Sequence, residues 1–111
     1  VGLVDDEAFA RMFVASRQRT RPRGRRALFA DLMKKGVDAE VAEGVLDEVA
    51  DEEDPVAAAR RAVAGRRRSA GPRPDPEARR KAEQFLLRRG FSYEVARQAL
   101  ADWGADTDDL P

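Results

Sequence analysis

The sequence predicts an all-α fold of tandem three-helix repeats: two units, six helices, stacked in an elongated array. Three observations predict it. Lys34-Lys35-Gly36-Val37-Asp38-Ala39-Glu40-Val41-Ala42 returns as Arg88-Arg89-Gly90-Phe91-Ser92-Tyr93-Glu94-Val95-Ala96, an offset of 54 residues from Gly36 to Gly90. Each copy runs two basic residues, Gly, an apolar residue, a capping residue, Glu two further on, then Val-Ala opening an apolar helix. Apolar residues elsewhere recur at helical spacing. Caps and stops punctuate them, with Asp or Ser ahead of the apolar runs and Gly or Pro behind.

In chain order, residues 1–4 read as the end of an incoming linker. Asp5, Asp6 and Glu7 supply a cap and an acidic first turn, which complements a helix N-terminus. Phe9, Met12, Phe13 and Ser16 follow at i, i+3, i+4, i+7, predicting one face of a helix that ends near Arg19. Arg17 to Arg26 carries Pro22 and Gly24 and is expected to be mostly a connector. A second helix is predicted over Arg25–Lys35, with Ala27, Leu28, Leu32 and Met33 apolar, plus Phe29. Gly36 stops it, and Lys34-Lys35 complement its last carbonyls. Asp38 caps a third helix with Val41, Ala42, Val45, Leu46 and Val49 on its buried face.

The second unit opens on Asp54-Pro55, a cap followed by Pro at the first helical position. Val56, Ala59, Ala62 and Val63 line its first helix, at an offset of 47 from Phe9 to Val56. Arg66 to Asp75 is then expected as a connector seven residues longer than its counterpart. Asp75-Pro76-Glu77 starts the next helix, with Ala78, Ala82, Phe85 and Leu86 apolar, and Gly90 ends it. Ser92 caps the last, whose apolar face is Val95, Ala96, Ala99, Leu100 and Trp103. Gly104 closes it, and 105–111 is expected to be a frayed tail. The predicted organisation is therefore one repeat over 1–50, a second over 51–104, and the tail. Each unit is too small to bury much apolar surface alone, so the units should stack, with a further unit expected before Val1.

Composition narrows the function. The 111 residues include no Cys and no His. That removes thiolate nucleophiles, Cys/His zinc sites, disulfides and the usual general base near neutral pH, and it suits a cytoplasmic protein. No apolar run approaches the roughly 18 residues needed to span a bilayer. The acids Asp51-Glu52-Glu53-Asp54 sit consecutively at a helix boundary and point in several directions, as solvated cap charges do. With no phosphate loop, nucleophile elbow or HExxH, the reading is a non-enzyme without cofactor or metal.

Charged residues are 38% of the chain yet sum to zero, so the distribution carries the information. Arg11 to Lys35 holds nine Lys/Arg and one acid, Asp31; Asp38 to Asp54 holds nine acids and no base; Arg60 to Arg89 holds eleven Lys/Arg and three acids. Either the blocks neutralise one another and the helix dipoles, or the basic ones form a stripe for a polyanion. Helix, short Gly turn, helix is also the outline of a DNA-reading helix-turn-helix. Its second helices, however, open on Asp38, Glu40, Glu43 and on Ser92, Tyr93, Glu94, where base readers carry Arg, Asn or Gln. Gly90-Phe91 followed by Glu94, Val95, Ala96, Ala99 and Leu100 resembles the second helix of ubiquitin-associated modules over a dozen residues, a pattern that packing alone produces.

The basic connectors are the better candidates for binding. Arg17, Arg19, Arg21, Arg23, Arg25 and Arg26 cluster in the first, and Arg66, Arg67, Arg68 and Arg73 in the second, with Arg79, Arg80 and Lys81 following. Five such contacts to phosphate would give a log-affinity against log-salt slope of about −4 to −5. The guanidinium fork suits protein carboxylates equally. Neither cluster interleaves aromatic residues along the sequence, which disfavours a dedicated base-stacking platform.

Residues from Gly2-Leu3-Val4-Asp5-Asp6-Glu7-Ala8-Phe9-Ala10 through Ser16-Arg17, Gly24 to Leu28, Leu32 and Lys35-Gly36-Val37 resemble the second repeat of the RecX family. Phe85-Leu86-Leu87-Arg88-Arg89-Gly90-Phe91-Ser92-Tyr93-Glu94-Val95 resembles its third. The resemblance implies a bacterial cytoplasmic regulator of tandem three-helix repeats that binds RecA and its nucleoprotein filament and inhibits recombinase and coprotease activities, within DNA repair, recombination and the SOS response. It supplies no catalytic residues. The expected partner is RecA, with single- or double-stranded DNA contacted through phosphates, no membrane, and a monomeric chain. The alternative is a non-specific DNA-binding helical protein acting without RecA.

Overall fold

The computed structural model describes residues 5–103, and six helices form there: α1 (Asp6–Thr20), α2 (Arg25–Lys34), α3 (Ala39–Glu52), α4 (Pro55–Ala70), α5 (Pro76–Arg88) and α6 (Tyr93–Leu100). The incoming linker, Gly104 and the tail lie outside the described residues.

Local chemistry sets most of the ends. Asp5 accepts from the amides of Glu7 and Ala8, Asp38 from Glu40, Asp54 from Val56, Asp75 from Ala78, and the Ser92 hydroxyl from Val95, at 2.7–3.2 Å. Each satisfies a donor that the first helical turn leaves free. At the other end, Gly36 (φ 84°) and Gly90 (φ 93°) take the left-handed conformation. The following amides, Val37 and Phe91, reach back to the carbonyls of Leu32 and Leu86 at 3.0 and 3.1 Å. Val37 and Phe91 are themselves buried, so the repeated basic-basic-Gly-apolar sequence is a Schellman stop that drops its last residue into the core.

Each unit closes its own core. The first gathers Ala10, Val14, Leu28, Leu32, Val37, Ala42, Val45 and Leu46. The second gathers Ala58, Ala59, Val63, Ala82, Leu86, Phe91, Ala96, Ala99, Leu100 and Trp103. α4 offers little bulk, and Trp103 makes up the volume: it is 2% exposed and its indole Nε1 donates to the Gly71 carbonyl at 2.9 Å. Buried positions correspond at an offset of 49 in the first helices (Ala10 to Ala59, Val14 to Val63) and 54 in the others (Leu32 to Leu86, Val37 to Phe91, Ala42 to Ala96).

Three expectations are corrected. The buried face of α1 is Ala10 and Val14, flanked by Phe9 and Phe13; Met12 is 66% exposed and Ser16 is exposed. Small side chains at i and i+4 let α1 approach the core closely, and the larger ones are left on the flank. The arginine-rich stretches are largely helical. α1 runs through Arg17 and Arg19 to Thr20, and α4 runs through Arg66, Arg67 and Arg68 to Ala70, leaving only residues 21–24 and 71–75 as connectors. Arg is a good helix former, and nothing stops the backbone before Pro22 or Gly71. Finally, the second unit is longer by five residues rather than seven. One lies in α4, one in the connector and three at the start of α5, where Asp75-Pro76 begins the helix early.

The units meet end to end in a body 63 × 21 × 20 Å. At the joint the Gly24 amide donates to the Arg89 carbonyl at 2.8 Å. A Cβ on Gly24 would collide with the Gly90 carbonyl group, and one on Gly90 would collide with the Ala27 Cβ. Two bare glycines therefore allow the backbones to touch, which explains why α2 alone starts on a Gly without a side-chain cap. Arg26 donates across the joint to the Leu87 carbonyl at 3.1 Å. Arg61 donates to the Gln18 carbonyl at 3.1 Å while gripping Glu53 with two bonds of 2.8 Å.

Candidate functional site

The structure divides the thirteen predicted basic residues into those with internal work and those left facing solvent. Arg25 binds Asp47 at 2.9 Å and the Glu43 carbonyl at 3.4 Å, and Arg26 belongs to the joint. Arg67 reaches Asp102 at 3.1 Å, and Arg79 closes the end of α6 through the Leu100 carbonyl at 2.9 Å. Lys81 pairs with Glu77 one turn before it. Arg23 is held by its backbone, with its N–H and C=O bonded to the Gln18 side chain at 2.8 and 3.2 Å. Its guanidinium lies 3.5 Å from Asp31, the one acid of the first basic block. That pair is electrostatic rather than hydrogen-bonded, since Arg23 Nε and Asp31 Oδ2 are buried without a hydrogen-bond partner. Acidic and basic blocks thus neutralise each other in part, chiefly within a unit, as Arg11 with Glu48 at 2.8 Å also illustrates.

Arg17, Arg19, Arg21, Arg66, Arg68, Arg73 and Arg80 are exposed and make no ion pair among the described residues. Two of them, Arg17 and Arg66, lie over aromatic rings, each joined there by a second cation. The Arg17 guanidinium lies 4.8 Å from the Phe13 ring centre, and Lys35 Nζ lies 6.0 Å from it. In the second unit Arg66 and Arg89 flank Phe85 at 4.5 and 4.9 Å. These distances are within cation–π range. Arg66 is the structural counterpart of Arg17 at the offset of 49, and Arg89 that of Lys35 at 54. The ring, however, comes from α1 in one unit and α5 in the other: where the first unit has Phe13 and Asp31, the second has Ala62 and Phe85.

Each ring stands four residues before one of its cations, Phe13 before Arg17 and Phe85 before Arg89, while Lys35 and Arg66 reach the rings only through helix packing. Arg89, Lys35 and Phe85 were not among the predicted site residues. The signal that could have found two of them was present, since Lys35 and Arg89 occupy the same position of the repeated nonapeptide. Arg89 is half-buried, and burial, followed by the nearby charges of Arg23, Arg21 and Arg66, holds its guanidinium below the ordinary arginine value. Like charges gathered without an acid at their centre are unfavourable in the free protein, and an arriving anion relieves the repulsion. Elsewhere, an apolar groove of about 550 Å³ opens at the joint between Phe29, Pro55, Phe91 and Val95. Among the described residues no cluster of acids has the makings of a metal site, and no helix is long and apolar enough to cross a membrane.

Fold and surface together define a tandem three-helix repeat protein that displays guanidinium groups along its length. The sequence matches two family models in succession: the second three-helix domain of RecX over residues 5–46 and the third over residues 52–100. The chain belongs to the RecX family. It is 37% identical over 112 residues to the regulatory protein RecX of Pelodictyon phaeoclathratiforme, covering 98% of this chain and 68% of that one. The regulatory protein RecX of Amycolatopsis mediterranei is 39% identical over 110 residues, 96% of this chain and 62% of that one. That of Streptomyces coelicolor is 42% identical over 120 residues, 99% and 60%. The chain thus spans about three fifths to two thirds of the length of these relatives. No solved structure matches it.

Proposed function

We propose that this chain acts as a non-enzymatic regulator that docks along the RecA–DNA filament and inhibits the recombinase and coprotease activities carried out there. The observation that carries this reading is the match to two successive RecX domains along nearly all of the described chain. The geometry suits it physically. A body 63 Å long and about 20 Å across presents unneutralised arginines from both units, as a ligand lying along a polymer would. Specificity for a protein filament then comes from shape and from carboxylates met by guanidinium forks, and affinity from charge. Inhibition follows if the docked array competes with filament growth or perturbs the subunit contacts that ATP turnover needs.

The test is RecA's ATP hydrolysis on single-stranded DNA with this chain titrated in. Inhibition is expected to weaken at least tenfold for Arg17→Glu/Arg21→Glu/Arg66→Glu, three exposed positions outside both cores. Inhibition absent at every concentration, with the helical circular dichroism intact, would overturn the reading for this chain. The gathered arginines favour one alternative, a DNA-binding protein acting without RecA. It predicts salt-sensitive binding to bare DNA that RecA leaves unchanged.

A further inference from the structure

We propose that Lys35, Arg17, Arg21, Arg89 and Arg66 form one continuous phosphate-binding track that crosses the joint between the two units and takes the backbone of a nucleic-acid strand. It deepens the filament reading above by assigning the nucleic-acid contact to a particular face. At one end is the Lys35–Phe13–Arg17 group, and at the other the Arg66–Phe85–Arg89 group. Arg21 links them: its amide donates to the Arg17 carbonyl at 2.8 Å, and three residues further on the Gly24 amide donates to the Arg89 carbonyl at 2.8 Å.

Three observations support a built site over scattered surface charge. The two groups are structurally equivalent in their cations, so the surface repeats along the array as a polymer's phosphates do. Each ring holds its cations by cation–π contact, which fixes long side chains that would otherwise lose entropy on binding. None of the five is in an ion pair among the described residues, while Arg23 beside them has Asp31, and Arg25, Arg61 and Arg67 have acids of their own. Arg19, Arg68, Arg73 and Arg80 are also outside ion pairs, so what marks this line is its grouping about two rings and across the joint. Arg89 also belongs to the joint itself, because its carbonyl accepts the Gly24 amide at 2.8 Å. A bound strand would therefore touch both units and resist their separation.

The measurement is fluorescence anisotropy of a labelled 20-nucleotide oligo(dT) with this chain and no RecA, repeated across a salt series. Five phosphates neutralised on a single strand give a log-affinity against log-salt slope of about −3.5, and removing two of the cations brings it to about −2. Arg21→Gln/Arg66→Gln, both exposed, is the principal variant. Arg89→Gln is the second, with its folding checked by the fluorescence of Trp103. Arg73→Gln/Arg80→Gln removes the same charge off the track and is expected to keep the wild-type slope. Equal losses in the track and off-track pairs would mean diffuse attraction only and overturn the proposal. So would an absence of oligo(dT) binding in a chain that still inhibits RecA, which would make the face a contact for protein carboxylates. Because RecA is absent, binding here with no inhibition there would sink the filament reading and leave the track standing.

Discussion

Gly24 and Gly90 carry the backbone contact at the joint, and comparing Gly90 with Gly36 separates two kinds of glycine. Gly36 is as left-handed as Gly90 but has open space where a Cβ would go. Gly36→Ala is expected to cost about 1 kcal/mol, from conformational strain alone. Gly90→Ala adds a collision with Ala27 and is expected to cost about 3 kcal/mol or more. Urea unfolding of the two variants checks the difference. At the same scale, three carboxylates sit below their ordinary range because a guanidinium donates to each: Glu48 from Arg11, Glu53 from Arg61, Asp102 from Arg67. A lowered folded value means that the stabilisation is present above the unfolded carboxylate range, near pH 4. It is lost as the pH falls through the lower folded value. Stability should therefore hold from pH 7 to about 5 and decline below about 4.5. Glu53→Gln is expected to flatten that acid limb while costing under about 1 kcal/mol at pH 7, since its pair is partly solvated. Denaturant midpoints across the pH range test this.

The helices show which parts of a pattern a chain can state locally. Caps and Schellman stops involve residues within a few positions of each other, so five side-chain caps and the Gly36 and Gly90 stops were legible in the sequence. The faces of α2, α3, α5 and α6 were legible too, because large aliphatic residues such as Leu28, Leu32, Val45, Leu46, Leu86 and Leu100 are themselves the buried ones. α1 was not, since Phe9 and Met12 compete with Ala10 and Val14 and only the distance to the neighbouring helices decides between them. Val14→Ala is accordingly expected to cost about 1–3 kcal/mol and Met12→Ala less than about 0.5. Thermal unfolding followed by circular dichroism measures both. The reach of α4 was hidden by Gly65 and by a run of arginines that reads as loop but helps to carry the helix on to Ala70.

For the whole molecule the decisive feature is two cores with a thin joint. Arrays of this kind gain stability unit by unit plus a term for each interface. The one Trp, Trp103, lies in the second core and so reports on that unit alone. Leu32→Ala removes a fully buried side chain from the first core at an expected cost of about 2–5 kcal/mol. Loss of helical circular dichroism should then begin at lower urea than the Trp103 fluorescence change, whereas Leu86→Ala should move the fluorescence transition first. Coincident transitions in both variants would mean that the joint couples the units more tightly than its few hydrogen bonds suggest.

The sequence by itself determined the class of fold, the two-unit repeat, the capped helix starts, the Gly36 and Gly90 stops, and the family, because each rests on short-range chemistry or on a repeated string of residues. It also located the basic segments. What only the tertiary structure decided was which cations are spent and which are free. Arg25 and Arg26 look like Arg17 and Arg21 in the sequence, yet the first two are tied to α3 and to the joint and the second two face solvent. That outcome depends on which carboxylate or carbonyl the packed helices bring within about 3 Å of each guanidinium. The grouping of Arg66 and Arg89 about Phe85 has the same origin in part. Arg89 follows Phe85 by four residues, a spacing that brings the two together locally, but Arg66 of α4 meets that ring only when α4 packs on α5, and no spacing along the chain encodes that meeting.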